Sequence, residues 1–294
     1  MNAEETTAAV RKPYPLTSTD HSLDLCGVTL HYLEWGDLAK PPLILLHGGS
    51  AHAHWWDHIA PVLAHDFHVL ALDLRGHGDS SWVSGAPAYQ IEDYVADLTE
   101  FVSRLALPAF VLVGHSLGGF IAMSYASIYP SHVRALVVID IGPRIGGSRI
   151  MRLLQRMPSP VYADEADVYA RFRLLPQETS ATPALLHHVA WHSVRQQRDG
   201  CFALKFDRAT LGREPRDLRA QLPSIHCPTL IFRGSESHNL STEALAEMVR
   251  LCPQARGREI AGAGHHVFLD KPEEFLTAVQ NFVSEIKEEC PCKT

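Results

Sequence analysis

An α/β fold built on a mostly parallel sheet, with one helical segment inserted into it, is what this sequence predicts. Three features carry the expectation. Continuous apolar runs, LILLHGG at 43–49, FHVLALD at 67–73, AFVLVGH at 109–115 and ALVVID at 135–140, have the texture of strands buried on both faces. Helix-like stretches at Ala53 to Ala64, Ile91 to Leu105 and Leu117 to Tyr129 lie between them, the last stopped by Pro130. Strands alternating with helices require a sheet covered on both faces. The alternation lapses between about residues 142 and 222 and resumes with PTLIFRG at 228–234.

In chain order, residues 1–20 form a polar leader, and LDLCGVTLHYLEW around Gly27 predicts a strand pair with a tight turn. Residues 21–141 and 223–294 then form one core, interrupted by a helical insertion over 142–222 that is rich in Arg, Pro and His and reads as a cap. After PTLIFRG come a helix from about Ser241 to Leu251, a short strand near Ala255 to Ile260, and a last amphipathic helix from Pro272.

Composition bounds the function. The 294 residues are 46% hydrophobic, enough for a large buried core. A formal charge of -7, from 26 basic and 33 acidic residues without long runs, gives no footprint for nucleic acid or an anionic membrane. Cys26, Cys201, Cys227, Cys252, Cys290 and Cys292 lack the spacing of a zinc ribbon or a disulfide scaffold and read as reduced thiols. The first 20 residues hold no signal-peptide core, and no segment reaches the roughly 18 continuous apolar residues of a membrane span. A soluble, cytoplasmic protein acting on a small molecule is expected; a homodimer stays open.

The chemistry centres on Gly114-His115-Ser116-Leu117-Gly118, which directly follows the run AFVLV and directly precedes a helix. A serine at such a turn takes a strained backbone conformation, and flanking glycines remove side chains that would collide with the neighbouring strand and helix. Ser116 is the candidate nucleophile, with the Leu117 N–H, at the positive end of the helix, the candidate oxyanion donor. A serine hydroxyl needs an adjacent base. His265, in the loop AGAGHH, is preferred over His266.

HGG at 47–49, DLRGHGDS at 73–80, GHSLGG at 114–119 and GAGHHVFLDKPEEF at 262–275 together resemble the α/β-hydrolase superfamily, in order and over nearly the whole chain. The resemblance implies an eight-stranded, mostly parallel sheet with helices on both faces and an inserted helical cap. It further implies a serine esterase working through an acyl-enzyme, with Gly49 supplying the second oxyanion N–H; nothing in the sequence implies a cofactor. In that family the acid orienting the histidine usually follows the strand corresponding to PTLIFRG. Here that loop reads GSESHNLS, with Glu236 its only carboxylate. Asp140, ending ALVVID beside the nucleophile strand, is the preferred acid, Glu236 the alternative, and a water-supported or incomplete triad a third.

Other readings stay beside this one. Lactone, thioester or C–C bond hydrolysis uses the same parts, and a ligand receptor or a cofactor-free oxygenase could sit on the same scaffold. Family epoxide hydrolases and haloalkane dehalogenases place aspartate where this chain has Ser116. His52-Ala53-His54-Trp55-Trp56-Asp57-His58 resembles the H-x-H-x-D-H metal cluster of metallo-β-lactamases but is one residue too long, so a helix start is expected there and no metal site. RGHGDS reads mainly as a locked turn. Arg144, Arg149, Arg152, Arg156, Arg171 and Arg173 read as mostly solvated, with one of them a candidate partner for a substrate carboxylate. Phe172, Trp191 and Phe206 are candidate walls of an apolar pocket.

Overall fold

A computed structural model describes residues 18–25, 27–85 and 89–289, with side chains through residue 286. Cys26, Cys290, Cys292 and most of the expected leader lie outside the described residues.

The core is an eight-stranded sheet. Its strands are β1 (Thr19–Leu25), β2 (Val28–Trp35), β3 (Pro42–Leu46), β4 (His68–Leu72), β5 (Phe110–His115), β6 (Val133–Ile139), β7 (Thr229–Gly234) and β8 (Ala255–Ile260). They lie in the order β1-β2-β4-β3-β5-β6-β7-β8. β1 and β2 form an antiparallel hairpin that pairs Leu25 with Val28, and β2 is antiparallel to β4; all other neighbours are parallel. Gly27, at φ 103°, makes the hairpin turn in a conformation that favours glycine.

The apolar runs serve two faces at once because successive side chains point to opposite sides of a strand. Ile44, Leu46, Leu70, Leu72 and Leu112 pack against helices α1 (Ile91–Arg104) and α2 (Leu117–Ile128). Leu43, Leu45, Val69, Val111 and Val113 pack against Trp56, Phe268 and the last long helix. The outer strand β8, ARGREI, is exposed along most of its length and carries charge, a composition that discourages edge-to-edge pairing. Helix α2 is buried on all sides from Leu117 to Ala126, as an apolar helix must be. Helix α1 is amphipathic and starts with a capping box in which the Gln90 N–H donates to Asp93 at 2.8 Å.

Two stretches depart from expectation. The helix expected over Ala53 to Ala64 breaks into a 3-10 turn, Ala53–Trp56, and a short helix, Ala60–Leu63, because Pro61 has no N–H to continue a helix running into it. Residues 142–222 carry three helices, α3 (Arg149–Arg156), α4 (Glu165–Arg171) and α5 (Pro183–His192), but they also hold β structure. Val161–Tyr162, Phe202–Leu204 and Val194–Gln196 form a small antiparallel sheet, and Arg144–Ile145 pairs with Arg216–Asp217. Strands this short and half-buried leave no apolar run to read.

The core resumes with α6 (Thr242–Leu251), capped by Ser241, and ends in α7 (Pro272–Glu289). No described helix is long and apolar enough to cross a membrane. Two histidines fasten the lower layers: His58 Nε2 donates to the Phe268 carbonyl at 2.8 Å and His266 Nε2 to the Pro176 carbonyl at 2.9 Å. Burial, first of all, pushes each down to about 4. Unfolded, these imidazoles take a proton near pH 6.5. Between about pH 6.5 and 4 the unfolded chain therefore binds more protons than the folded one, so stability present above 6.5 is lost as the pH falls. The melting temperature is expected to drop across that window, and His58→Gln to flatten part of the drop; an unchanged wild-type melting temperature between pH 6.5 and 4 would refute the account.

Candidate active site

Ser116 occupies the sharp junction between β5 and α2, at φ 52° and ψ -116°. A non-glycine residue held at such angles costs about 1–3 kcal/mol and needs restraint from its surroundings. Here the Ser116 N–H donates to the Ile139 carbonyl at 2.9 Å and the Phe120 N–H donates to the Ser116 carbonyl at 3.0 Å. The glycines are required by the packing. A Cβ on Gly114 would stand 2.3 Å from the Gly118 carbonyl oxygen, and one on Gly118 would stand 2.3 Å from that of Leu46. Both obstacles are backbone, so neither can turn aside.

Leu117 is the first residue of α2, where an N–H has no intrahelical acceptor and the helix dipole is positive. Opposite it runs the loop after β3. A Cβ on Gly48 would lie 3.2 Å from Ser116 Cβ, so this loop flanks the hydroxyl directly, and Gly49 follows with open space where its own Cβ would stand. The Gly118 N–H donates to the His47 carbonyl at 3.1 Å, tying the two sides together.

His265 is buried, and its Nδ1–H donates to Asp140 Oδ2 at 2.8 Å. Asp140 is fully buried at the end of β6, at φ 50°. Its Oδ1 accepts the Gly234 N–H at 3.0 Å, and its Oδ2 also accepts the Ser237 hydroxyl. Glu236 is exposed, and its N–H bonds to the Ala263 carbonyl at 2.9 Å. His266 turns instead toward Pro176. The His115 and His265 rings are centred 4.6 Å apart, which sets the His265 imidazole beside the residue preceding Ser116. Among the described residues Ser116 Oγ and His265 Nε2 make no hydrogen bond with each other.

Several supporting residues went unnoticed in the sequence. His115 is buried, and its Nε2–H donates to the His265 carbonyl at 3.0 Å, anchoring that loop. Burial, then the neighbouring His265 and His266, hold His115 well below the usual imidazole range and therefore neutral. Ser237 and Gly234 lie in GSES, where a hydroxyl and a backbone N–H give no local sign of their bonds to Asp140. Asp73 is buried and accepts the Ala53 N–H at 2.6 Å, the Asp79 N–H at 2.9 Å and the His31 Nδ1–H at 2.7 Å. It thus joins the loop after β3, the turn RGHGDS and β2. A Cβ on Gly78 would fall 2.1 Å from that carboxylate.

Next to Gly49 lies a tight cavity of about 60 Å³ between the core and residues 142–222, walled in part by His52, Trp55, Phe172 and Phe206. Trp191 is not on its wall and packs on Phe202 with ring centroids 5.5 Å apart. Arg173 reaches the cavity, as does Arg208, which the sequence did not single out. Arg144, Arg149, Arg152, Arg156 and Arg171 are exposed, and Arg173 is exposed as well. His52 is buried and shares the Ser193 hydroxyl at 2.9 Å, and Trp56 stacks on Phe268 with centroids 4.2 Å apart.

Comparison with known proteins agrees with this architecture. Residues 41–272 match the family described as alpha/beta hydrolase fold. A 2-(acetamidomethylene)succinate hydrolase of Mesorhizobium japonicum is 30% identical, over 90% of this chain and 97% of its own length. An sn-1-specific diacylglycerol lipase of Xenopus laevis is 31% identical, over 84% of this chain and 81% of its own. The crystal structure of an E-2-(acetamidomethylene)succinate hydrolase superposes with a TM-score of 0.80 at 27% identity, covering 91% of this chain and 100% of that one.

The glycine geometry makes a contrast that unfolding experiments can read. Gly118→Ala forces a Cβ into backbone and is expected to lose at least about 2 kcal/mol in urea denaturation. Gly49→Ala adds a methyl to open space and should stay within about 0.5 kcal/mol of wild type. Equal stability of the two variants would contradict the close approach of α2 to β3.

Proposed function

We propose that this chain, which belongs to the α/β-hydrolase fold family, is a serine hydrolase cleaving carboxylic esters of small to medium size through an acyl-enzyme. The observation that carries the reading is the strained Ser116 at a helix N-terminus, beside a buried histidine whose far nitrogen is held by a buried carboxylate. In this reading Ser116 Oγ attacks the ester carbonyl carbon while His265 Nε2 takes its proton. Asp140 fixes the ring so that Nε2 faces the reaction and balances the charge the ring acquires. The Leu117 and Gly49 N–H groups receive the oxyanion. His265 returns the proton to the departing alcohol, and water repeats the sequence to release the acid.

The wall of the cavity bears on substrate class. Arg173, Lys205 and Arg208 bring positive charge to an otherwise largely apolar lining, which favours an ester that also carries a carboxylate. The Mesorhizobium relative, by its name, hydrolyses a succinate derivative, and the Xenopus relative a diacylglycerol, so the family alone does not choose between a charged and a neutral ester. The proposed route needs no cofactor.

Release of nitrophenol from short and medium nitrophenyl esters tests the assignment. Wild type should turn over, Ser116→Ala should fall by about 1000-fold or more, and Asp140→Asn by a comparable factor. Glu236→Gln should stay within about twofold of wild type, since surface changes away from a site are nearly neutral. Wild-type inactivity across the series, or an unimpaired Ser116→Ala, would sink ester hydrolysis; collapse of Glu236→Gln with an active Asp140→Asn would move the acid.

A further inference from the structure

A second cluster of chemistry-bearing side chains lies apart from Ser116, where the 3-10 turn after β3 meets α5. The turn offers His54 and Asp57, three residues apart, and α5 offers His188 and His192 at i and i+4 on one helix face. Asp57 Oδ2 accepts the His54 Nδ1–H at 2.9 Å and the His188 Nε2–H at 2.8 Å. The His192 ring stacks on His54 with centroids 3.7 Å apart and lies 4.6 Å from that of His188. One ligand atom from each of the four residues falls within 4.8 Å of all the others.

We propose that His54, Asp57, His188 and His192 bind one divalent transition-metal ion of the zinc type, fastening the turn after β3 to α5. Three imidazoles and one carboxylate make a borderline-soft, four-membered donor set suited to such an ion. Bonds of about 2.0–2.2 Å place tetrahedral ligand atoms roughly 3.3–3.6 Å apart. The four ligand atoms now lie within 4.8 Å of one another, so binding would open the two hydrogen bonds to Asp57 and turn the stacked His54 and His192 rings toward a common centre. A set of four protein ligands closes the coordination sphere, so the ion would be structural.

Two features of the cluster point to a ligand beyond its internal hydrogen bonds. Asp57 Oδ1 is buried and has no hydrogen-bond partner among the described residues, a costly state for a carboxylate oxygen that an adjacent cation would relieve. His192 makes no hydrogen bond among the described residues, although it is largely enclosed by other imidazoles. Proton bookkeeping is simple. On metal binding the hydrogens that His54 and His188 direct at Asp57 move to their opposite ring nitrogens, and no net proton need be released.

The test uses the full chain stripped with a chelator and titrated with Zn²⁺ by calorimetry, followed by thermal melting and by the visible absorption of bound Co²⁺. One equivalent of Zn²⁺ per chain is expected, with a rise of several degrees in melting temperature, because an ion that binds only the folded state stabilises it. Co²⁺ should give the intense absorption of tetrahedral coordination. The double variant His188→Ala/His192→Ala should bind at least tenfold more weakly and lose the cobalt signal. His187→Ala, whose ring stacks on Tyr169 with centroids 4.4 Å apart, should match wild type in both. Undiminished Zn²⁺ affinity in the double variant, an octahedral cobalt spectrum, or no binding by wild type would each overturn the site. None of these readouts depends on ester hydrolysis.

Discussion

The close approach of α2 to the carboxyl ends of β3 and β5 is the constraint on which the rest of this molecule depends. Helix α2 is buried on every side, so it can be placed only by contact, and the contact is backbone on backbone at Gly114 and Gly118. Any side chain there would lift the helix off the sheet. With the helix seated, Ser116 is forced to positive φ, the Gly118 N–H reaches His47, and the first turn of α2 points at the loop around Gly49. Strain and packing are thus one fact: the conformation that exposes the hydroxyl is the one the buried helix imposes.

A second layer of order comes from buried carboxylates that accept several donors. Asp73 gathers N–H groups from the loop after β3 and from RGHGDS, and Asp140 gathers Gly234, Ser237 and His265. Each brings together segments far apart in sequence, and each is worth keeping buried only because all its donors are present. Among the described residues, three of the four non-glycine positions at positive φ, Ser50, Ser116 and Asp140, fall in this same region, with Ala106 the exception.

Much of this was legible in the sequence because the signals were local. Continuous apolar runs gave the parallel strands, Pro130 and Pro272 marked helix ends, and G-x-S-x-G between a strand and a helix located the elbow. What escaped was non-local or carried no pattern. Pro61 is local, but the apolar spacing from Ala53 to Ala64 masks the break that it makes. The small sheet over residues 161–204 has strands of two or three half-buried residues, too short for any period to register. The roles of His115, Ser237 and Asp73 depend on partners 150, 97 and 20 residues away, distances at which spacing says nothing. Asp140 could be preferred from its place at the end of ALVVID, but its burial and the exposure of Glu236 are not disclosed by the loop sequence GSESHNLS.

The short path from Ser116 to Asp140 has a mechanical meaning. The Ser116 N–H is bonded to the carbonyl of Ile139, and Asp140 is the next residue, so a single peptide unit separates the proposed nucleophile's anchor from the proposed acid. An acid placed after β7 would sit one strand farther away, and each flexing of the sheet would change its distance from the serine. Here both groups ride on the joined ends of β5 and β6. Thermal breathing of the outer strands can shift the loops around them while leaving the spacing between the two almost fixed.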